Sequence, residues 1–307
     1  MKFAAIEVAD RPAAAVAVSD AEVAVLPKRF TDVEGVLRAS EAERREVVRD
    51  ALSSGERLPV AGLSWLPPVK RPGKVLCVAL NNSANPDRIL SGPATPALFT
   101  KPSSSLIGHQ RPIRLRQDDG RVHPEPELAV VIGRGGADIT PDAALSHVFG
   151  YTILNDITSP TLRAEDTFHY RAIHPTSDHD GVRLVDSWVS YPARYKGADT
   201  FGPLGPWVVT ADDVPDPHAL RITCSHNGDL VTDDTTANLR FSVAEVISFA
   251  SRYLTMEPGD VIGMGTALRR SSATGGAVQN LDLNRLGGVV AVTIDRIGTL
   301  SNPVVRR

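Results

Sequence analysis

Short apolar runs of strand length, each closed by turn-forming residues, recur along this chain from Lys74 onward, and that spacing restricts its body to a β-rich architecture. The runs are Lys74 to Leu80, Pro112 to Leu115, Leu128 to Ile132, Gly150 to Asn155, Trp207 to Thr210, Leu220 to His226, Val261 to Met264 and Val289 to Ile294. With 24 Gly and 23 Pro in 307 residues and only 5% aromatics, turns are frequent enough to separate elements this short, which a helical bundle would not need. Asn227-Gly228 is the strongest hairpin signal, because both residues tolerate the positive φ of a type I′ turn. One amphipathic helix interrupts the series. Ser242 and Glu245 form a capping-box pattern, and Val243, Val246, Ile247, Ala250 and Leu254 make an apolar stripe suited to docking on a sheet.

Residues 1–70 read differently, as a small α+β domain. Two short apolar stretches lead into a helical pattern, in which Ser40 and Glu43 form another capping-box pair and Gly55 is the stop. The proline-rich joint from Leu66 to Gly73 then places a boundary near residue 70, with the β-rich body over 71–307. Between about Pro160 and Gly197 the chain is dense in His, Asp, Arg and Tyr with few periodic apolar residues, so it reads as a lid, a binding loop or a disordered stretch.

Composition narrows the partners. A formal charge of -3, with no long basic run, argues against nucleic acid. Apolar runs fall short of membrane-spanning length, and Glu7, Asp10 and Arg11 interrupt the N-terminal stretch before a signal-peptide core can form, so the expectation is a cytoplasmic protein. Cys77 and Cys224, far apart and outside any C-x-x-C pair, read as small buried hydrophobes, with a long-range disulfide left open.

The segment richest in chemistry is His123-Pro124-Glu125-Pro126-Glu127, followed by the apolar run to Ile132. In extended chain Glu125 and Glu127 share one face. Two carboxylates held side by side repel one another unless a cation or a proton intervenes, and an all-oxygen donor set favours Mg²⁺, Mn²⁺ or Ca²⁺ over zinc. Asp156, at the end of the apolar run Tyr151 to Asn155, offers a third oxygen donor. The alternative for the glutamate pair is a solvated strand end. A zinc site using His123 or the Asp178-His179-Asp180 cluster matches no standard spacing. Nucleotide loops and the G-x-S-x-G nucleophile elbow are absent from the sequence.

Taken in order, Glu125-x-Glu127, the run ending at Asp156, Lys196-x-x-Asp199-Thr200-Phe201-x-Pro203-Leu204-Gly205-Pro206-Trp207, Asn227-Gly228, Phe241 to Glu245, Glu257-Pro258-Gly259-Asp260, Gly265-Thr266 and Ile297 to Asn302 resemble the fumarylacetoacetate hydrolase family. The resemblance covers about residue 72 to the C-terminus, and the leader looks like the small domain that precedes the catalytic domain in many bacterial relatives. It implies a mainly β fold with some α, a mixed β-sandwich roll, usually homodimeric, with a divalent cation (Mg²⁺, Mn²⁺ or Ca²⁺) held by Glu125, Glu127 and Asp156. It gives Lys196 the role of stabilising developing oxyanion charge, against a structural role beside a buried carboxylate, and makes Thr266 a substrate contact.

Departures from the family pattern matter too. Where relatives usually carry Asn-Tyr-x-x-His, this chain has Asn81-Asn82-Ser83-Ala84-Asn85, and an amide at Asn85 cannot accept a proton. Asn85 is then read as a substrate contact. His169 is the preferred replacement base, with His174 behind it, and Arg269 and Arg270 are read either as the binders of a distal carboxylate or as a solvated pair. The leading expectation is metal-dependent hydrolysis of a carbon–carbon bond in a β-diketo or acylpyruvate-type acid, a small anionic oxo acid, by way of a chelated enolate. Decarboxylation or keto–enol tautomerisation at the same site is the second reading. A non-catalytic binding protein that retains the fold is the third.

Overall fold

The computed structural model describes residues 1–84, 89–269 and 277–307. Its first strands are β1 (Lys2–Val8), β2 (Arg11–Ala17), β3 (Glu22–Val25), β4 (Arg57–Pro59) and β5 (Ser64–Leu66), with α1 (Val33–Arg38) and α2 (Glu41–Ser54) between β3 and β4. There follow β6 (Val75–Ala79), β7 (Ala97–Lys101), β8 (Leu106–Ile107), β9 (Ile113–Leu115), β10 (Pro126–Ile132), α3 (Pro141–Ala144) and β11 (Val148–Asn155). Next come α4 (Pro160–Glu165), β12 (Thr167–Pro175), β13 (Val182–Ser190), α5 (Ala193–Gly197) and β14 (Gly202–Thr210). The chain closes with β15 (Arg221–His226), β16 (Asp229–Thr235), α6 (Val243–Ser251), β17 (Val261–Gly263), α7 (Leu283–Leu286), β18 (Gly288–Ile294) and β19 (Gly298–Arg306).

The larger sheet runs β4-β3-β2-β1-β14-β11-β10-β17-β6-β7, with β5 beside β1 and β8 beside β14, and a second sheet runs β16-β15-β18-β19-β9. Most pairs are antiparallel, while β6–β17, β8–β14 and β9–β19 are parallel, so the mainly β, mixed-sheet expectation is met. Every residue of β10 is buried. Such a strand reads as a continuous apolar run because both of its faces are covered. Its alternation divides the core: Leu128, Val130 and Ile132 join Ile222, Cys224, Val290, Val292 and the α6 stripe, whereas Ala129 and Val131 face the cluster that holds Val36, Leu37 and Val47 of the first two helices. Leu128, Val130 and Ile132 are almost wholly removed from water, each contributing roughly 2 kcal/mol of burial free energy.

Local signals act as the sequence predicts. Ser40 caps α2 by accepting from the Glu43 N–H, Gly55 closes it, and Ser242 and Glu245 form a reciprocal capping box on α6. Asn227 and Gly228 take φ of 52° and 91°, as the turn between β15 and β16 requires. Both cysteines are buried and free, in different clusters. Among the described residues, no helix is long and apolar enough to cross a membrane.

One region differs from the sequence reading. The stretch from 160 to 197 is ordered into α4, the β12–β13 hairpin and α5, because its aromatic and β-branched residues pair strand to strand from Thr167↔Ser190 to Pro175↔Val182. Near residue 70 the larger sheet does not break. Lys2 and Phe3 of β1 pair with Val209 and Val208 of β14, and Trp65 packs edge-on against Trp207 at 5.0 Å.

Candidate metal centre

β10 and β11 deliver the acidic residues because their register is pinned where they end. Pro126 lies opposite Asn155, the Asn155 side chain accepts the Glu125 N–H at 3.0 Å, and the Glu125 carbonyl accepts the Asp156 N–H at 2.9 Å. Glu125, Glu127 and Asp156 therefore converge, each with one carboxylate oxygen within 4.8 Å of the others. The segment after β17 closes the third side. The Gly265 N–H donates to Glu127 Oε2 at 3.1 Å, and the Thr266 hydroxyl donates to Glu125 Oε2 at 2.9 Å. A Cβ at Gly263 would meet Glu127 Oε2 at 2.6 Å, so the carboxylate occupies space that only glycine leaves free.

Two lysines hold the cluster together. Lys196 Nζ donates to Glu125 Oε2 and Asp156 Oδ2, both at 2.6 Å, and Lys101 Nζ donates to Asp156 Oδ1 at 2.6 Å and to the Lys196 carbonyl. Burial raises the Glu125 carboxyl, but the Lys196 ammonium outweighs it and brings the group down to about 2. Glu127 has no ammonium at hydrogen-bonding distance among the described residues. Burial first, and then the Asp156 charge, push its carboxyl well above the ordinary range. Burial opposes the Lys196 charge, yet the Asp156 and Glu125 carboxylates raise its affinity for the proton above the ordinary lysine value. When all three carboxylates are ionised they face two ammonium groups, which leaves one negative charge in excess on Glu127, the carboxylate that lacks a cation. An all-oxygen donor set of this charge fits a divalent cation.

The cluster lies in a cleft of about 660 Å³ whose wall also includes His123, Phe99, Arg163, Tyr195 and Leu268. His123 is buried at 6% exposure and bridged to Thr158 through both backbone groups. Its Nδ1 lies 3.2 Å from the Pro124 carbonyl and so carries the hydrogen, which leaves Nε2, 3.9 Å from Glu125 Oε1, as an acceptor. Burial lowers the imidazole below its ordinary value.

Of the residues singled out in the sequence, the structure brings together Glu125, Glu127, Asp156, Lys196 and Thr266. It does not bring His169 to them. That residue stands exposed on β12, and the strand register stacks its ring on Trp188 with centroids 4.0 Å apart, outside the cleft wall. Arg269 is also outside the wall, its guanidinium donating to the Asp233 carbonyl at 2.6 Å, while among the described residues the guanidinium-bearing one on the wall is Arg163. Asn85 and Arg270 lie outside the described residues. Asn82 is committed to structure, donating to Asp234 Oδ2 at 3.0 Å. Lys101 was missed in the sequence because a lysine closing a short strand carries no pattern. His123 was weighed only as a zinc ligand, although its place two residues before Glu125 put it at the same strand mouth.

The family model for the fumarylacetoacetate (FAA) hydrolase C-terminal domain matches residues 74–305. The chain belongs to the fumarylacetoacetate hydrolase family. Oxaloacetate tautomerase fahd2 of Xenopus laevis is 33% identical over 262 residues, 85% of this chain and 74% of that protein. The fumarylacetoacetate hydrolase of Exiguobacterium antarcticum superposes with a TM-score of 0.76 at 28% identity, covering all of both chains, residues 1–70 included. Maleylpyruvate hydrolase of Sphingobium sp. SYK-6, in a structure with manganese(II) and pyruvate, superposes with a TM-score of 0.73 at 26% identity over 100% of this chain and 99% of that one. Family members thus include hydrolases and a tautomerase, and the converging carboxylate trio agrees with the divalent cation in the manganese-bound relative.

Proposed function

We propose that this chain is a divalent-metal-dependent enzyme that moves a proton on an enolisable oxo acid, and that keto–enol tautomerisation of a 2-oxo dicarboxylate is the outcome its geometry supports best. The observation that carries the reading is one imidazole acceptor, His123 Nε2, held beside three converging carboxylates in a single cleft. A cation bound by Glu125, Glu127 and Asp156 would withdraw electron density from adjacent keto and carboxylate oxygens of the substrate.

The chain's own groups supply the rest. His123 Nε2 takes the proton from one substrate atom and returns it to another, so no net proton is consumed. Lys196 pairs with Glu125 and Asp156 and places positive charge at the cleft wall for oxyanion character that develops on the substrate. Thr266 fixes the Glu125 carboxylate, and Arg163 offers a guanidinium to a distal carboxylate. Phe99 and Leu268 keep the inner wall apolar.

Asn85 favours tautomerisation over hydrolysis. It stands in the sequence where relatives carry a water-activating histidine, an amide cannot accept a proton, and a proton shuttle needs no second base for water. Hydrolysis of a β-diketo or acylpyruvate-type acid is the second reading, supported by the likeness to a manganese- and pyruvate-bound hydrolase. Product analysis by NMR, with Mg²⁺ or Mn²⁺ and with EDTA, on oxaloacetate and a panel of acylpyruvates separates the two. Accelerated keto–enol exchange without cleavage supports the tautomerase, and metal-dependent cleavage to two acids supports the hydrolase. Glu127→Ala is expected to weaken Mn²⁺ binding, measured by calorimetry, by about 100-fold and to abolish either activity. Full activity in that variant would refute the proposed centre.

A further inference from the structure

We propose that Asp234 is a positioning residue that sets the Leu268 wall of the cleft, by tying the segment that follows β17 to the segment that follows β6. This role rests on the cleft being the substrate site. Asp234, on β16 of the second sheet, is a carboxylate that the metal centre does not use. It has no exposure to water, and among the described residues no ammonium or guanidinium pairs with it.

A buried carboxylate without a counter-ion is costly unless hydrogen bonds replace its water. Five N–H donors do so here. Oδ2 accepts from Asn82 Nδ2 at 3.0 Å, from the Leu268 N–H at 2.8 Å and from the Arg269 N–H at 3.0 Å. Oδ1 accepts from the Thr235 N–H at 2.8 Å and from Asn238 Nδ2 at 2.6 Å. Burial raises the carboxyl, but the donors outweigh it and hold the group below the ordinary aspartate range. With its lone pairs spent inside the protein, this charge is left to hold the groups that donate to it.

Three of those donors belong to the segments that wall the cleft. β6 and β17 are parallel neighbours, so the chain leaves both at the same end of the sheet. Leu80 and Asn81 after β6, and Thr266 and Leu268 after β17, line the cleft. Asn81 joins the roots of the two segments, its amide donating to the Met264 carbonyl at 2.8 Å. Asp234 adds a second tie further out, and two ties fix a direction that one leaves free. At Asn82, where relatives usually carry tyrosine, this chain has a short amide that reaches the carboxylate. The residues that touch the metal ligands are held separately. Met264 and Ala267 donate their N–H groups to the Leu128 and Pro126 carbonyls of β10, which brackets Gly265 and Thr266. Loss of Asp234 should therefore move the substrate-facing wall and spare the metal.

Steady-state kinetics on oxaloacetate, Mn²⁺ calorimetry and amide hydrogen exchange on the full chain test this together. Asp234→Ala should raise KM about tenfold and leave kcat and the Mn²⁺ dissociation constant within about threefold, the pattern of lost substrate binding. Exchange should quicken at Leu268 and Arg269, and at Ser83, whose N–H donates to the carbonyl of the Asn238 that Asp234 holds. Asn82→Ala cuts only the β6 side and should raise KM less. Asp234→Asn keeps an oxygen for the Asn82, Leu268 and Arg269 donors and should recover most of the wild-type KM. Asp234→Ser replaces Asp234→Ala if circular dichroism shows the latter to be unfolded. An unchanged KM, or a loss of Mn²⁺ affinity at unchanged KM, overturns the proposal. A wild type without turnover on oxaloacetate would count against the tautomerase and leave exchange to decide the tie: faster exchange at both Leu268 and Ser83 supports it, and unchanged exchange at either overturns it.

Discussion

At the residue scale, Lys101 is the partner that one oxygen of Asp156 has away from water. Both side chains are fully buried, and the ammonium is the only partner of Asp156 Oδ1 among the described contacts. Removing Lys101 leaves Asp156 Oδ1 buried without its partner and Lys196 alone on Oδ2, so Lys101→Met should destabilise the protein by about 3 kcal/mol in urea denaturation. Added Mn²⁺ should restore part of that loss, because the cation offers Asp156 a new partner. The two histidines make an equally sharp contrast. His123→Asn should reduce kcat by about 100-fold while leaving Mn²⁺ affinity within a few-fold, as expected for loss of a proton carrier. His169→Asn should leave kcat unchanged, since its ring stacks on Trp188 outside the cleft. A steady-state comparison of the two variants reassigns the base if the outcomes are reversed.

At the scale of elements, legibility followed how much of a pattern each element needed. β10 and β11 were visible because a strand covered on both faces must be apolar along its length, and the acidic trio was visible because it terminates those strands. The β12–β13 hairpin was not. Its apolar residues alternate with His, Arg and Asp on surfaces that this chain does not itself cover, so the stretch mimics a polar loop. Short β8 and the bridge that holds His123 to Thr158 leave no periodic trace, since both depend on neighbours distant in sequence. The loop between β8 and β9 shows how such an element gains function in stability. His109 accepts the Ser301 N–H through Nδ1 at 3.0 Å and meets the Trp65 ring edge-on, and burial lowers its imidazole from 6.5 to about 4. Between those values the unfolded chain binds a proton that the folded chain refuses. The His109 contribution is therefore complete above pH ~6.5, is lost as the pH falls through this window and levels off below pH ~4. Chemical denaturation at a series of pH values should show a steeper decline for the wild type than for His109→Gln, and parallel curves would mean that the histidine titrates alike in both states.

At the scale of the whole molecule, the family model begins at residue 74, yet the sheet does not. β1 is hydrogen-bonded between β2 and β14, and the Trp65 ring lies between His109 and Trp207, both contributed from beyond the proline-rich joint. One hydrophobic cluster contains Ala4, Ile6 and Trp65 together with Val209, Leu128 and Ile222. Removing residues 1–70 would expose the β14 edge as a row of unpaired backbone groups, a template for aggregation, although every member of the metal centre would be retained. Cooperativity should follow the shared core and not the joint. Scanning calorimetry of the full chain should then give a single transition for residues 1–70 and 71–307 together, and Trp65→Ala, which empties a site at 3% exposure, should lower that transition as a whole by about 3 kcal/mol of stability. Two resolved transitions, with only the first moved by the substitution, would show instead that the N-terminal segment folds by itself and that the continuous sheet joins two independent cores.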